Sequence, residues 1–240
     1  MTQENKAGPD VSGTKLIEGD TLTYLLRLPA EVSDKPVPTL LLMHGRGANE
    51  GDVFELTQYI DRRFMIIAPR APMKFSDDPR GSFMWYDNIE PGVAVPGSLE
   101  TAVQKVVDFM GEVEQSAGVK IDRNQLYIGG FSQGAAMSYA LIRAYPDMAA
   151  GVMAHSSPFR EGQEAELRQV AAKLKGKPFF VAHGTGDFLN IDEHGRRAAR
   201  FLREIGADLT YKEYSFAHET SPQSRQDLAD WLNPRLGESS

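Results

Sequence analysis

Leu126-Tyr127-Ile128-Gly129-Gly130-Phe131-Ser132-Gln133-Gly134-Ala135-Ala136-Met137-Ser138-Tyr139 joins two different hydrophobic rhythms across one serine. The apolar run before Gly130 has the length and composition of a buried strand, and the run after Gly134 continues as a helix. Between them stands Gly130-Phe131-Ser132-Gln133-Gly134, a G-x-S-x-G pattern. Strand, sharp turn and helix in that order push a serine hydroxyl out at the carboxyl end of a strand. Gly130 and Gly134 leave room where neighbouring backbone must come close. Ser132 is therefore the candidate nucleophile.

Working outward, strand-like runs are expected at residues 21–28, 39–43, 64–68, 125–131, 150–154, 179–182 and 209–214. Several are continuously apolar, as in strands covered on both faces by helices. Helical patterns alternate with them at 53–60, 99–115, 135–145, 161–175 and 192–205. A last one spans 223–232, with Ser221 as N-cap and Pro222 in the first turn. This alternation predicts an α/β protein with a doubly wound, mostly parallel sheet and helices on both faces. The first strand has no helix after it and is expected to pair antiparallel at an edge. Residues 1–20 read as a mobile tail, 21–233 as one domain without a cap domain, and 234–240 as a C-terminal tail. From 69 to 97 no element is evident, yet the stretch carries Phe75, Phe83, Trp85 and Tyr86. A loop of that length is usually functional or disordered; disorder fits poorly with Phe83-Met84-Trp85-Tyr86, and the aromatics suit either core packing or the wall of a cleft.

The 240 residues carry 33 acidic against 26 basic side chains, a formal charge of −7. That balance argues against a nucleic-acid partner, since phosphate contacts need clustered Lys and Arg. Arg196, Arg197, Arg200 and Arg203 are spaced like a solvated helix face. No stretch approaches the roughly 18 apolar residues of a membrane span, and Met1–Lys6 lacks the apolar core of a signal peptide. A cytoplasmic setting is expected. The absence of cysteine excludes disulfides, Cys-ligated zinc and cysteine nucleophiles. Histidines at 44, 155, 183, 194 and 218 show no metal-site spacing, and no nucleotide-binding glycine pattern follows a strand. No metal and no cofactor are expected. The oligomeric state is left open, a dimer included.

A serine hydroxyl needs a base. In the order serine, acid, histidine, acid and base fall on loops after later strands. His218 lies just after the last strand and before the last helix. Asp187 lies on the loop after the strand at 179–182, while the competing Asp192 suits an N-cap. The oxyanion needs two backbone N–H donors. Gln133, following the nucleophile, supplies one. The other is expected from Arg46 in His44-Gly45-Arg46-Gly47, a glycine-rich loop after an early strand, with His44 bracing that loop.

His44-Gly45-Arg46-Gly47, Pro69-Arg70-Ala71-Pro72, the G-x-S-x-G stretch and the His183-Gly184 to Asp187 loop together resemble the phospholipase/carboxylesterase family of small α/β-hydrolases. That family includes acyl-protein thioesterases and bacterial carboxylesterases. Trp85-Tyr86-Asp87 resembles its Trp-aromatic-Asp segment, and the likeness runs from about residue 20 to 233. It implies the α/β-hydrolase fold, a triad of Ser132, Asp187 and His218, and a substrate cleft lined by residues 69–97, so that Phe83, Trp85 and Tyr86 become expected substrate contacts. The chain departs from the family pattern at Ala135, at Ala217, at His155-Ser156 where the family carries Ser-Gly, and at Phe188-Leu189-Asn190 after the acid. His155, Phe159, Phe188 and Leu189 are accordingly expected to shape the acyl or leaving-group side. The expected activity is hydrolysis of short- to medium-chain acyl esters, a small-molecule partner, through an acyl-enzyme. A thioesterase or lysophospholipase using the same triad is the alternative, and a non-catalytic binding protein of the same fold is the rival of a different class.

Overall fold

Leu40, Leu41 and Leu42 are all fully buried, although successive side chains on a strand point to opposite faces. Both faces of their sheet must therefore be covered. Leu40 and Leu42 enter one apolar core, and Leu41 and Met43 the other. The computed structural model describes residues 13–32 and 34–237. Of the tails expected at 1–20 and 234–240, residues 1–12 and 238–240 lie outside the described residues, while the start of the second forms a 3-10 turn at Asn233–Arg235 with Leu236 packed against the core.

The strands run in chain order β1 (Thr14–Glu18), β2 (Thr23–Arg27), β3 (Val37–Met43), β4 (Met65–Pro69), β5 (Met73–Ser76), β6 (Ser82–Met84), β7 (Asn88–Glu90), β8 (Val93–Ala94), β9 (Ile121–Phe131), β10 (Gly151–His155), β11 (Pro178–Gly184) and β12 (Asp208–Tyr214). Eight form one sheet in the order β1-β2-β4-β3-β9-β10-β11-β12. From β4 to β12 every neighbour is parallel, while β1 and β2 join antiparallel. Among the described residues six α-helices accompany it: α1 (Ser98–Ala117), α2 (Gln133–Ala144), α3 (Glu161–Arg168), α4 (Ala171–Leu174), α5 (Gly195–Glu204) and α6 (Pro222–Leu232). Phe109 of α1, Leu141 of α2 and Phe201 of α5 pack into the core on one face. Leu228 and Trp231 of α6, with Phe54 of a 3-10 helix at Asp52–Thr57, pack on the other. The doubly wound expectation holds, and Ser221 caps α6 by accepting the Ser224 N–H at 3.1 Å.

Five local expectations are corrected. The tail expected through residue 20 already contains β1, so β2 lies inside the sheet and β1 forms its edge. Loop 69–97 folds into two antiparallel hairpins, β5–β6 and β7–β8, outside the main sheet. The helix expected at 53–60 is a shorter 3-10 turn. The pattern at 161–175 breaks where Val170 leaves helical geometry at φ −110°, giving α3 and α4. The helix expected from 192 begins at Gly195, because Asn190 Oδ1 accepts the N–H groups of Asp192 and Glu193 and holds a turn there. Asp192 is no N-cap; its carboxylate pairs with Arg196 at 3.0 Å.

Candidate active site

Strand β9 ends at the centre of the sheet, and Ser132 turns the chain into α2 at φ 53°, ψ −116°. A non-glycine residue pays for such a backbone in strain, which persists only where the surroundings hold it. Two features hold it here. The Ser132 N–H donates to the His155 carbonyl at the end of β10, at 2.9 Å. A Cβ on Gly130 or Gly134 would collide with the Met43 carbonyl oxygen, so only glycine lets the turn seat against the end of β3.

Two later loops bring their side chains to this hydroxyl. At the end of β11, Gly184 passes so near the Phe216 carbonyl oxygen that any side chain would clash, which clamps the Asp187 loop onto the His218 loop. His218 Nε2 lies 2.9 Å from Ser132 Oγ, and His218 Nδ1 lies 2.9 Å from both Asp187 oxygens. A carboxylate at Nδ1 fixes the proton there and leaves the Nε2 lone pair for the hydroxyl. Asp187 is held in turn by the Leu189 N–H at 2.8 Å. Burial alone would raise the Asp187 carboxyl. Hydrogen bonds from His218 and the Leu189 N–H outweigh it and hold the group below the usual carboxylate range. His183 Nε2 meets the Leu189 carbonyl at 2.9 Å and supports the acid loop from behind.

Nearby amides are largely committed. The Gly47 N–H donates to the Phe83 carbonyl at 2.8 Å and the Ala48 N–H to Gly45 at 3.2 Å. Gln133, as the first residue of α2, carries one of the orphan N–H groups of a helix start. The Arg46 guanidinium stands over the Phe75 ring at 4.5 Å, on the side of β5.

A polar bolt lies behind these loops; the expected bracing by His44 is part of it, while the role of the Gln133 side chain has no signature in the sequence. The Gln133 carboxamide accepts the Trp85 N–H at 2.8 Å and donates to the Tyr86 carbonyl at 2.8 Å and Asn88 Oδ1 at 2.9 Å. His44 Nε2 accepts the Ala71 N–H at 3.0 Å, and the Trp85 indole donates to the His44 carbonyl at 2.9 Å. Burial pushes the His44 imidazole down to about 4, which keeps the ring neutral and able to accept. Glu50 and Arg70 close the same region with paired hydrogen bonds at 2.5 and 2.8 Å.

The expected substrate contacts divide. Trp85, Phe159 and Leu189 are buried: Trp85 braces the bolt, and Phe159 meets Tyr139 edge-on and the tilted ring of Phe201 within the core. These three are packing residues, which corrects their expected place on the cleft wall. Their hydrophobicity was read correctly, but burial on a second layer could not be told from exposure on a wall. Tyr86 is also buried, with an edge on a pocket of about 810 Å³ between the β7–β8 hairpin, α3 and the start of α5. Phe83 is half-buried under the Arg70 guanidinium. Phe188 alone is open, 71% exposed, with its ring 4.5 Å from that of His218. Phe131 flanks the same imidazole at 4.8 Å, a position that sequence offered only as the variable residue of the elbow. Among the described residues no group of three His, Asp or Glu is arranged to hold a metal ion, and no helix is long and apolar enough to cross a membrane.

The family model described as phospholipase/carboxylesterase matches residues 30–235. Acyl-protein thioesterase 1 of Emericella nidulans is 28% identical over 219 residues, covering 83% of this chain and 90% of its own length. Lysophospholipase-like protein 1 of Mus musculus is 26% identical over 225 residues, with 89% and 93% covered. Among solved structures, the carboxylesterase from Mesorhizobium loti superposes with a TM-score of 0.74 at 17% identity, covering 92% of this chain and 99% of that one. The chain has the α/β-hydrolase fold.

Proposed function

Since the chain belongs to the phospholipase/carboxylesterase family, we propose that it is a serine carboxylesterase for short- to medium-chain acyl esters, with Ser132, His218 and Asp187 as its triad. The observation that carries this reading is the unbroken relay from the strained Ser132 hydroxyl through His218 to a shielded Asp187. His218 Nε2 takes the proton as Ser132 Oγ attacks the ester carbonyl, and Asp187 orients the ring and stabilises its positive form. The N–H groups of Arg46 and Gln133 bind the tetrahedral oxyanion; their neighbours' commitment elsewhere supports that assignment. His218 then gives its proton to the leaving alcohol, and water activated by the same imidazole releases the acid. Phe188 and Phe83 offer apolar surface to the substrate. A cytoplasmic setting, with no nucleic-acid partner, goes with this reading.

A thioester substrate is favoured by the likeness to acyl-protein thioesterase 1. Steady-state rates on oxygen and sulfur esters matched in acyl chain, from two to twelve carbons, decide between the two. The carboxylesterase reading expects kcat/KM to peak at short to medium oxygen esters and to vanish in Ser132→Ala. A peak at the longest thioesters would favour the second reading, and undiminished turnover in Ser132→Ala would defeat both.

A further inference from the structure

Beside the relay lies a pocket of about 260 Å³ whose lining includes His218, Glu219 and Thr220. Val53, Leu56 and Phe131 form its apolar lining, while Asp52, Glu55 and Glu219 contribute carboxylates, all three exposed. No lysine or arginine lines it. Arg225 reaches Glu55 at 2.8 Å without joining the lining. The Arg46 guanidinium lies over the Phe75 ring, on the side of β5. Asp52 accepts the Asn49 N–H at 3.0 Å, which tethers its charge at the loop.

An acyl transfer of this kind ends with the imidazole protonating the departing oxygen or sulfur, so the leaving group passes the surface next to that ring. A pocket of this size lies at the small end of ligand sites. It takes a single ring or a short branched chain. Three carboxylates, with Arg225 paired to Glu55 and Arg80 within electrostatic reach of Asp52, leave a negative potential at its mouth.

We infer that this pocket receives the departing alcohol or thiol, accepts small neutral or cationic groups, and rejects anionic, phosphate-bearing ones. The inference rests on the ester-hydrolase reading above and narrows its substrate class.

The test uses the full chain and three acetate esters, of 3-(trimethylammonio)phenol, 3-methylphenol and 3-sulfophenol. Each kcat/KM is divided by the same ester's hydroxide-catalysed rate, which removes intrinsic reactivity. The expected order is cationic, neutral, anionic, with about tenfold between the extremes at low ionic strength, shrinking when salt screens the exposed carboxylates. Asp52→Asn combined with Glu219→Gln should bring that ratio below about threefold. The net charge of −7 would favour cations anywhere on the substrate. A second series therefore carries the same charges on the acyl group and should show much weaker discrimination. Equal rates across the three leaving groups, or discrimination as large on the acyl side, overturns the inference while leaving the esterase intact. The wild-type comparison decides this even if the double variant fails to fold. Absence of Ser132-dependent hydrolysis of the neutral ester overturns the underlying reading itself.

Discussion

Two described non-glycine residues have positive φ, Ser132 at 53° and Ser156 at 49°. Strain at Ser132 presents a hydroxyl to His218. Strain at Ser156 presents nothing, for its Oγ is buried without a partner. Ser156→Gly should relieve the backbone and remove an unsatisfied hydroxyl, raising stability by about 1 kcal/mol in urea unfolding. Gln133 shows the opposite balance. Gln133→Met keeps the volume but strands the Trp85 N–H and Tyr86 carbonyl away from water, so the same measurement should show a loss of about 2–4 kcal/mol. The elbow pattern identified Gln133 only through its backbone N–H. The carboxamide's partners lie 45 to 48 positions upstream, a separation at which local patterning carries no information.

At the scale of elements, what the sequence disclosed depended on burial. Strands β3, β4 and β11 are covered on both faces and betray themselves as continuous apolar runs. Strand β1 is an edge with no fully buried residue, so its sequence looks like a tail. The β5–β8 hairpins have strands of two to four residues and irregular register, too short for any period to register. Glycine placement gives a sharper test of the elements. Gly111 lies inside α1 with nothing near its missing side chain, and Gly111→Ala should stabilise by about 0.5–1 kcal/mol through backbone entropy, read as a higher denaturation midpoint. Gly134→Ala, also within a helix, drives a methyl into the Met43 carbonyl, and loss of cooperative unfolding is expected. If both alanines behaved alike, the close seating of α2 on β3 would be wrong.

For the whole molecule, buried histidines set the acid response. His155 stacks with Phe216 and Tyr214 and meets the tilted Phe131 ring, has no hydrogen-bond partner for either ring nitrogen, and is pushed by burial down to about 3. Burial holds His44 at about 4. Both recover their ordinary value of 6.5 on unfolding. Below that value the unfolded chain binds the extra protons. The neutral rings' stabilisation is complete above 6.5 and is lost as pH falls towards about 4, by up to about 1.4 kcal/mol per pH unit for each ring. His155→Phe should flatten the pH dependence of unfolding between pH 6 and 4.5 by about 1 kcal/mol per unit. An unchanged slope would mean that His155 is solvated. Alternating elements disclosed one doubly wound sheet, and strand-end positions singled out Ser132, Asp187 and His218, while the hydrolase family was legible only through its motifs. The packing behind them stayed hidden, because Trp85 and Phe159 have the same composition signal on a wall or in a core. The central claim is that one serine carries the chemistry, and site mapping after treatment with a fluorophosphonate probe tests it most directly. A single adduct on the Ser132 peptide, absent in Ser132→Ala and strongly slowed in His218→Ala, is the predicted result; an adduct elsewhere, or labelling that survives Ser132→Ala, would contradict it.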